Sequence, residues 1–154
     1  MEIVCLNGAK VDAHIVDEWA GPMIVTLGNS YDSSVLPGFA AMEGDRVLGA
    51  ILYRIQDDAC EIAVVYSLLE NRGIGTALIR RVIETAKKAG CGRVWLVTTN
   101  DNVHALRFYQ KFGFRIKDVH IGSMAITRRL KPGLPETGID GIPLAHEVEF
   151  ELEI

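Results

Sequence analysis

The first place where the chain offers chemistry is the stretch Asn71-Arg72-Gly73-Ile74-Gly75, just ahead of an apolar pattern with helical spacing. A helix N-terminus presents several N–H groups without intrahelical partners and carries about half a positive charge. Glycines let an anion approach the backbone closely, so Gly73 and Gly75 suit a phosphate or pyrophosphate. Glycines at a strand–helix junction also serve packing alone, and this stretch by itself leaves both readings open. Two phosphate motifs are excluded. A P-loop requires Gly-Lys-Ser/Thr, whereas Gly75 is followed by Thr76-Ala77. The dinucleotide fingerprint requires a third glycine where this chain has Leu78.

A second constellation runs Asn102-Val-His-Ala105-Leu-Arg-Phe108-Tyr109-Gln-Lys-Phe-Gly113-Phe114. It resembles the signature of the GNAT acetyltransferase superfamily, in which Asn and Ala precede a Phe/Leu-Tyr pair and the helix closes on Gly-Phe. The glycine stretch is similar to the superfamily's other motif, Gln/Arg-x-x-Gly-x-Gly/Ala. The two occur in the family's order and at about its separation, covering roughly Glu61 to Phe114. The run Leu96 to Asn102 and the later Gly141-Ile-Pro143 segment resemble a bacterial subgroup of uncertain substrate. One position departs from the pattern: Glu70 stands at the family's Gln/Arg position and brings negative charge toward a pyrophosphate, which Arg72 offsets.

The resemblance implies acetyl-CoA as co-substrate and no metal. It places Val64, Val65 and Tyr66 along the pantetheine arm. Glu70, Asn71, Arg72, Gly73, Ile74, Gly75, Thr76 and Ala77 form the pyrophosphate loop, and Asn102, Ala105, Phe108 and Tyr109 close the far side. The implied reaction is direct attack of a primary amine, of a small molecule or a protein, on the acetyl thioester. An alkyl amine with a pKa near 10.4 must lose a proton at pH 7, which costs about 4–5 kcal/mol. Glu61 matches a position where the family often keeps a base, although a solvated strand-end carboxylate explains it equally well. Asp57, His104, His120 and His146 are weaker candidates for that base, and Tyr109 matches the family's general acid. A GNAT-fold module that binds acyl-CoA without turnover is the alternative. An interaction protein built on an acidic edge strand accounts for the tail but not for the two motifs.

The elements that position these residues follow from periodicity. Phe39–Met42 and Val47–Ile55 form a hairpin around Glu43-Gly44-Asp45, and Ile62–Tyr66 is a buried strand leading into the glycine stretch. Leu78, Ile79, Val82, Ile83 and Ala86 define a helix stopped at Gly90. Val94–Val97 is a short strand, Asn102 caps a second helix, and Phe114–Ile121 and Ser123–Leu130 suggest two further strands. Glu2–Leu6 and Pro22–Leu27 are expected to be extended and Val11–Trp19 helical. Lys131–Pro143, with three prolines and three glycines, is expected to be an irregular loop. The tail His146–Ile154 alternates strictly, which predicts a half-buried strand with its glutamates facing solvent. The outline is α/β (α+β). The GNAT resemblance sharpens it to a mixed, mostly antiparallel central sheet flanked by helices, with splayed parallel strands at the cofactor site.

Bulk properties bound the rest. The 154 residues are expected to form a single domain, residues 1–154. A net charge of −4 argues against nucleic acid as a main partner. No apolar run approaches the roughly 20 residues that span a bilayer, and Met1-Glu2-Ile3 does not start a secretory signal. Cys5, Cys60 and Cys91 are an odd count without zinc spacing, so reduced thiols, a cytoplasmic location and no membrane are expected. The apolar face of the last strand suits pairing within the sheet or across a homodimer.

Overall fold

A computed structural model describes residues 1–6, 21, 23–69 and 71–154. The expected helix Val11–Trp19, Pro22 and the departing Glu70 lie outside the described residues. In chain order the elements are β1 (Glu2–Cys5), β2 (Met23–Thr26), β3 (Asn29–Asp32), β4 (Gly38–Glu43), β5 (Arg46–Gln56), β6 (Ala59–Ser67) and α1 (Ile74–Lys88). They continue with β7 (Arg93–Thr99), α2 (Val103–Phe112), β8 (Arg115–His120), α3 (Met124–Leu130) and β9 (Glu147–Glu153). The class is the expected one, mixed α/β with a mostly antiparallel sheet and some parallel strands; β2 and β3 make a separate two-stranded ribbon. The described residues group into two compact units. The first is Met1–Ile24, Tyr31–Val94 and Ile154, and the second is Val25–Ser30 and Trp95–Glu153.

In the first unit β1, β4, β5 and β6 pair in that order, each antiparallel to the next. Gly44 (φ 59°) turns β4 into β5, and Asp57 (φ 56°), a residue that tolerates the left-handed region, turns β5 into β6. One cluster of buried apolar side chains includes Leu6, Leu36, Ala40, Met42, Ala50 and Leu52. The stripe Leu78, Ile79, Val82 and Ala86 of α1 is fully buried, as its spacing requires. Lys87 and Lys88 complement the helix C-terminus, and Gly90 (φ 83°) follows the cap.

In the second unit β9 lies between β7 and β8 and is antiparallel to β8. Two expectations fail here. Ser123–Leu130 is not a strand: Met124–Leu130 is helical, burying Met124 and Thr127 one turn apart, with Arg128 and Arg129 in its last turn. Its β-branched Ile126 and Thr127 suggest a strand, but the i, i+3 burial is helical and overrides their propensity. The acidic face of β9 is not an outer face either. Glu147, Glu149 and Glu151 are 3%, 9% and 7% exposed, and only Glu153 projects into solvent. Side chains of the neighbouring strand make the burial of Glu149 and Glu151 tolerable. Arg115 Nη2 lies 3.1 Å from Glu151, Lys117 Nζ lies 3.7 Å from Glu149, and His120 Nε2 lies 3.2 Å from Glu149. Lys131–Pro143 is the expected loop, carrying one short 3-10 turn at Ile139–Gly141.

Candidate active site

The first unit gathers backbone N–H groups where β6 runs into α1. β6 ends at Ser67, whose hydroxyl donates to the Leu69 carbonyl (2.9 Å), while the Leu68 N–H donates to the Leu48 carbonyl (2.8 Å). Asn71 (φ 59°) and Gly73 (φ 71°) are both left-handed, the kind of local conformation that turns successive N–H groups to one side. The first helical bond runs from the Ala77 N–H to the Gly73 carbonyl (3.0 Å), so the amides of residues 74–76 have no partner within the helix. Among the described residues no side chain caps this terminus, and no acidic residue stands in its first turn. A Cβ at Gly73 would meet nothing within 4 Å, so the backbone is open on that side. Gly49 on β5 sets the helix in place. A Cβ there would lie 2.5 Å from the Tyr66 carbonyl oxygen and 2.9 Å from Ile74 Cγ2, so only glycine lets Ile74 anchor the terminus against the sheet.

The strand leading into α1 changes character along its length. Leu52 pairs with Val64 but Tyr53 pairs with Ile62, so Ala63 forms a bulge in β6. Before the bulge Cys60, Glu61 and Ile62 are buried; after it Val64, Val65 and Tyr66 are all half-buried. Burial pushes the Cys60 thiol up to about 12, with the Cys91 thiol and the Glu61 carboxylate adding to the effect. Such a thiol stays protonated and unreactive at neutral pH.

Glu61 is not solvated. It is 1% exposed and stands directly across from Arg54, whose Nη2 lies 3.4 Å from its Oε2. Arg54 also stacks over the Tyr31 ring at 4.6 Å and donates to Gln56 Oε1 at 2.6 Å. Burial raises the Tyr31 phenol, the Glu61 charge raises it further, and Arg54 pulls it down.

In the second unit Asn102 caps α2, its Oδ1 accepting from the Ala105 N–H at 3.1 Å. Ala105, Phe108 and Tyr109 share one helix face by their i, i+3, i+4 spacing and are half-buried. Gly113 (φ 124°) then reverses the chain, and the Phe114 N–H returns to the Tyr109 carbonyl at 3.0 Å. Tyr109 consequently sits among aromatic rings, with centroids 5.3 Å from Phe108, 5.8 Å from Phe114 and 5.6 Å from Phe150. Burial pushes its phenol up to about 12.

Asn100 and Asp101 carry more of this unit than a polar turn implies. Asn100 Oδ1 accepts from the Ala145 and His146 N–H groups at 3.0 and 2.9 Å, and its Nδ2 donates to the Pro143 carbonyl. Asp101, 5% exposed, accepts from the Ile139 N–H at 2.9 Å and packs against Gly138 so closely that a Cβ there would strike it. Consecutive Asn-Asp-Asn at a strand end was the available signal; which loop they hold was not readable from it. Asp57, His104 and His120 join neither constellation: Asp57 forms a turn, His104 is exposed and His120 pairs with Glu149. His146 Nδ1 accepts from the Gly122 N–H at 2.8 Å, a structural tie. Among the described residues no group of three metal-ligating side chains exists, and no helix is long and apolar enough to cross a membrane.

Residues 16–114 match the model of the acetyltransferase (GNAT) family. The uncharacterized protein YdhI of Bacillus subtilis is 42% identical over 133 residues, covering 86% of this chain and 83% of its own length. Two solved structures are similar over most of both chains. The IAA acetyltransferase of Bacillus cereus has a TM-score of 0.68 at 26% identity, covering 79% of this chain and 80% of its own. A Bacillus subtilis acetyltransferase in complex with CoA has a TM-score of 0.66 at 25% identity, covering 91% of this chain and 82% of its own. With the family model matched over both the glycine stretch and the Tyr109 helix, the chain belongs to the acetyltransferase (GNAT) family.

Proposed function

We propose that this chain, working as one domain over residues 1–154, is an N-acetyltransferase that moves the acetyl group of acetyl-CoA directly onto a primary amine. The observation that carries the reading is the uncapped N-terminus of α1 behind left-handed Asn71 and Gly73, a backbone cradle for the CoA pyrophosphate in a member of this family. A CoA-bound relative supports the choice of ligand. Arg72, exposed beside the cradle, offsets the charge of Glu70. Val64, Val65 and Tyr66, past the bulge, line the pantetheine arm.

In the reaction the amine nitrogen attacks the thioester carbonyl, the C–S bond breaks, and CoA leaves as the thiol. Tyr109 serves the departing sulfur. Donating its proton outright, from a pKa of about 12 to a thiolate near 8.5, is uphill by roughly 5 kcal/mol, so its role is a hydrogen bond to the developing thiolate. Glu61 takes up the proton lost by the amine, through water, because its buried carboxylate is already held by Arg54. Asn102 acts at one remove by capping the helix that carries Tyr109.

The test is thiol release from acetyl-CoA across polyamines, amino acids, aminoglycosides and peptides, with the acetylated product identified by mass. Amine-dependent release of one thiol per acetyl transferred is expected. CoA binding by calorimetry without amine-dependent release from any member of the panel would instead make the chain a binding module.

A further inference from the structure

The row of buried glutamates on β9 is unevenly matched. Glu149 and Glu151 each face cations of β8, whereas Glu147 has no cationic partner among the described residues. Glu147 Oε2 accepts from the Leu27 N–H at 3.2 Å, while its Oε1 is fully buried and makes no hydrogen bond. Two more buried acceptors without partners stand on the neighbouring segment, Thr127 Oγ1 on a residue 5% exposed and Ser123 Oγ. All three lie in the second unit, and the backbone brings their elements together. The turn that binds Glu147 through Leu27 also meets α3, since a Cβ at Gly28 would lie 3.3 Å from Ile126 Cγ2. Residues 122–124 run beside the start of β9, with Gly122 N–H on His146 Nδ1 and Met124 N–H on the Ala145 carbonyl (3.2 Å). Leu27, Gly28, Ser123 and His146 on these elements are half-buried.

An ammonium group has three donors and no acceptor, and a carboxylate oxygen with two hydroxyls offers it three acceptors and a compensating charge. We propose that Glu147, with Thr127 and Ser123, is a subsite for an ammonium group of the acceptor that does not react. The acceptor class is then a small aliphatic diamine or polyamine. The amine being acetylated must be neutral to attack, so a buried anion that fixes a cation serves the other end of a dication. This inference rests on the N-acetyltransferase reading for its place in catalysis, but the subsite itself binds without turnover.

The experiment compares 1,4-diaminobutane with 1-aminobutane, by calorimetric titration with and without CoA and by thiol release. The diamine binds wild type more tightly than the monoamine by about tenfold or more, and Glu147→Gln abolishes that preference. In turnover Glu147→Gln raises the diamine KM by about tenfold or more and changes kcat far less. Thr127→Val, which preserves shape, moves KM the same way by a smaller factor and serves as the readout if Glu147→Gln fails to fold. Equal binding of the two amines by wild type, or a diamine preference that survives both substitutions, overturns the subsite. Diamine binding lost on substitution, in a protein that releases no thiol with any amine, upholds the subsite and refutes the acetyltransferase reading.

Discussion

The two units present polar groups in opposite ways. In the first, the proposed cradle at Asn71–Gly75 is made of backbone, and its side chains matter mainly by being small or by tolerating a positive φ. In the second, Glu147, Glu149 and Glu151 of β9 present side chains, and each depends on what another element brings to it: Leu27, Lys117, His120 or Arg115. A backbone site is written locally in glycine spacing, whereas a buried side-chain site is written in partners distant in sequence. The contrast extends to the two most buried acids of interest. Glu61 is matched across the sheet by Arg54, whereas among the described residues Glu147 is held by a single backbone amide.

The largest effect is expected at a side chain. In the proposed mechanism Tyr109→Phe removes the hydrogen bond to the departing sulfur and should lower kcat by about a hundredfold, leaving calorimetric CoA affinity within about twofold. Wild-type turnover in that variant, with chemistry rate-limiting, would reduce Tyr109 to a packing residue of its aromatic cluster.

The backbone cradle should respond less, and in binding rather than turnover. Gly73→Val forces a β-branched residue into φ 71° beside the anion and should weaken acetyl-CoA binding by about tenfold. Arg72→Ala removes only an exposed charge and should cost less than about fivefold. If Arg72→Ala costs as much as Gly73→Val, the cradle works through side-chain charge and the contrast between the units fails.

The same contrast marks what was legible beforehand. The hairpin of β4 and β5, the strand β6 and the stripe of α1 were readable because each element buries one face against its own unit, so apolar spacing alone carries the information. Tyr109 and Asn102 were readable as members of a local motif, and the Asn102 cap is bonded as expected. The helix at Met124–Leu130 was not, since seven residues with two β-branched positions hold too little periodicity to outweigh strand propensity. Strict alternation in β9 correctly implied a strand but not that both faces are covered, because the cations that permit it are about 30 residues away on β8. The burial of Glu61 was not readable for a related reason: Arg54, its partner, lies on the neighbouring strand.

The smallest expected effect separates the units by pH. Burial pushes the Cys60 thiol in the first unit and the Tyr109 phenol in the second up to about 12, from ordinary values of 9 and 10. Both folded-state values are raised, so the stability each contributes is fully present below its unfolded pKa and is lost as pH climbs toward the folded value. The loss therefore begins near pH 9 for Cys60 and near pH 10 for Tyr109, and both losses run on to about pH 12. Melting temperatures measured every half unit from pH 8 to 11 should fall less steeply between 9 and 10 in Cys60→Ala than in wild type. Tyr109→Phe should follow the wild-type slope up to pH 10 and flatten only above it. A Cys60→Ala curve parallel to wild type throughout would mean that this thiol ionises as freely folded as unfolded, which its complete burial forbids.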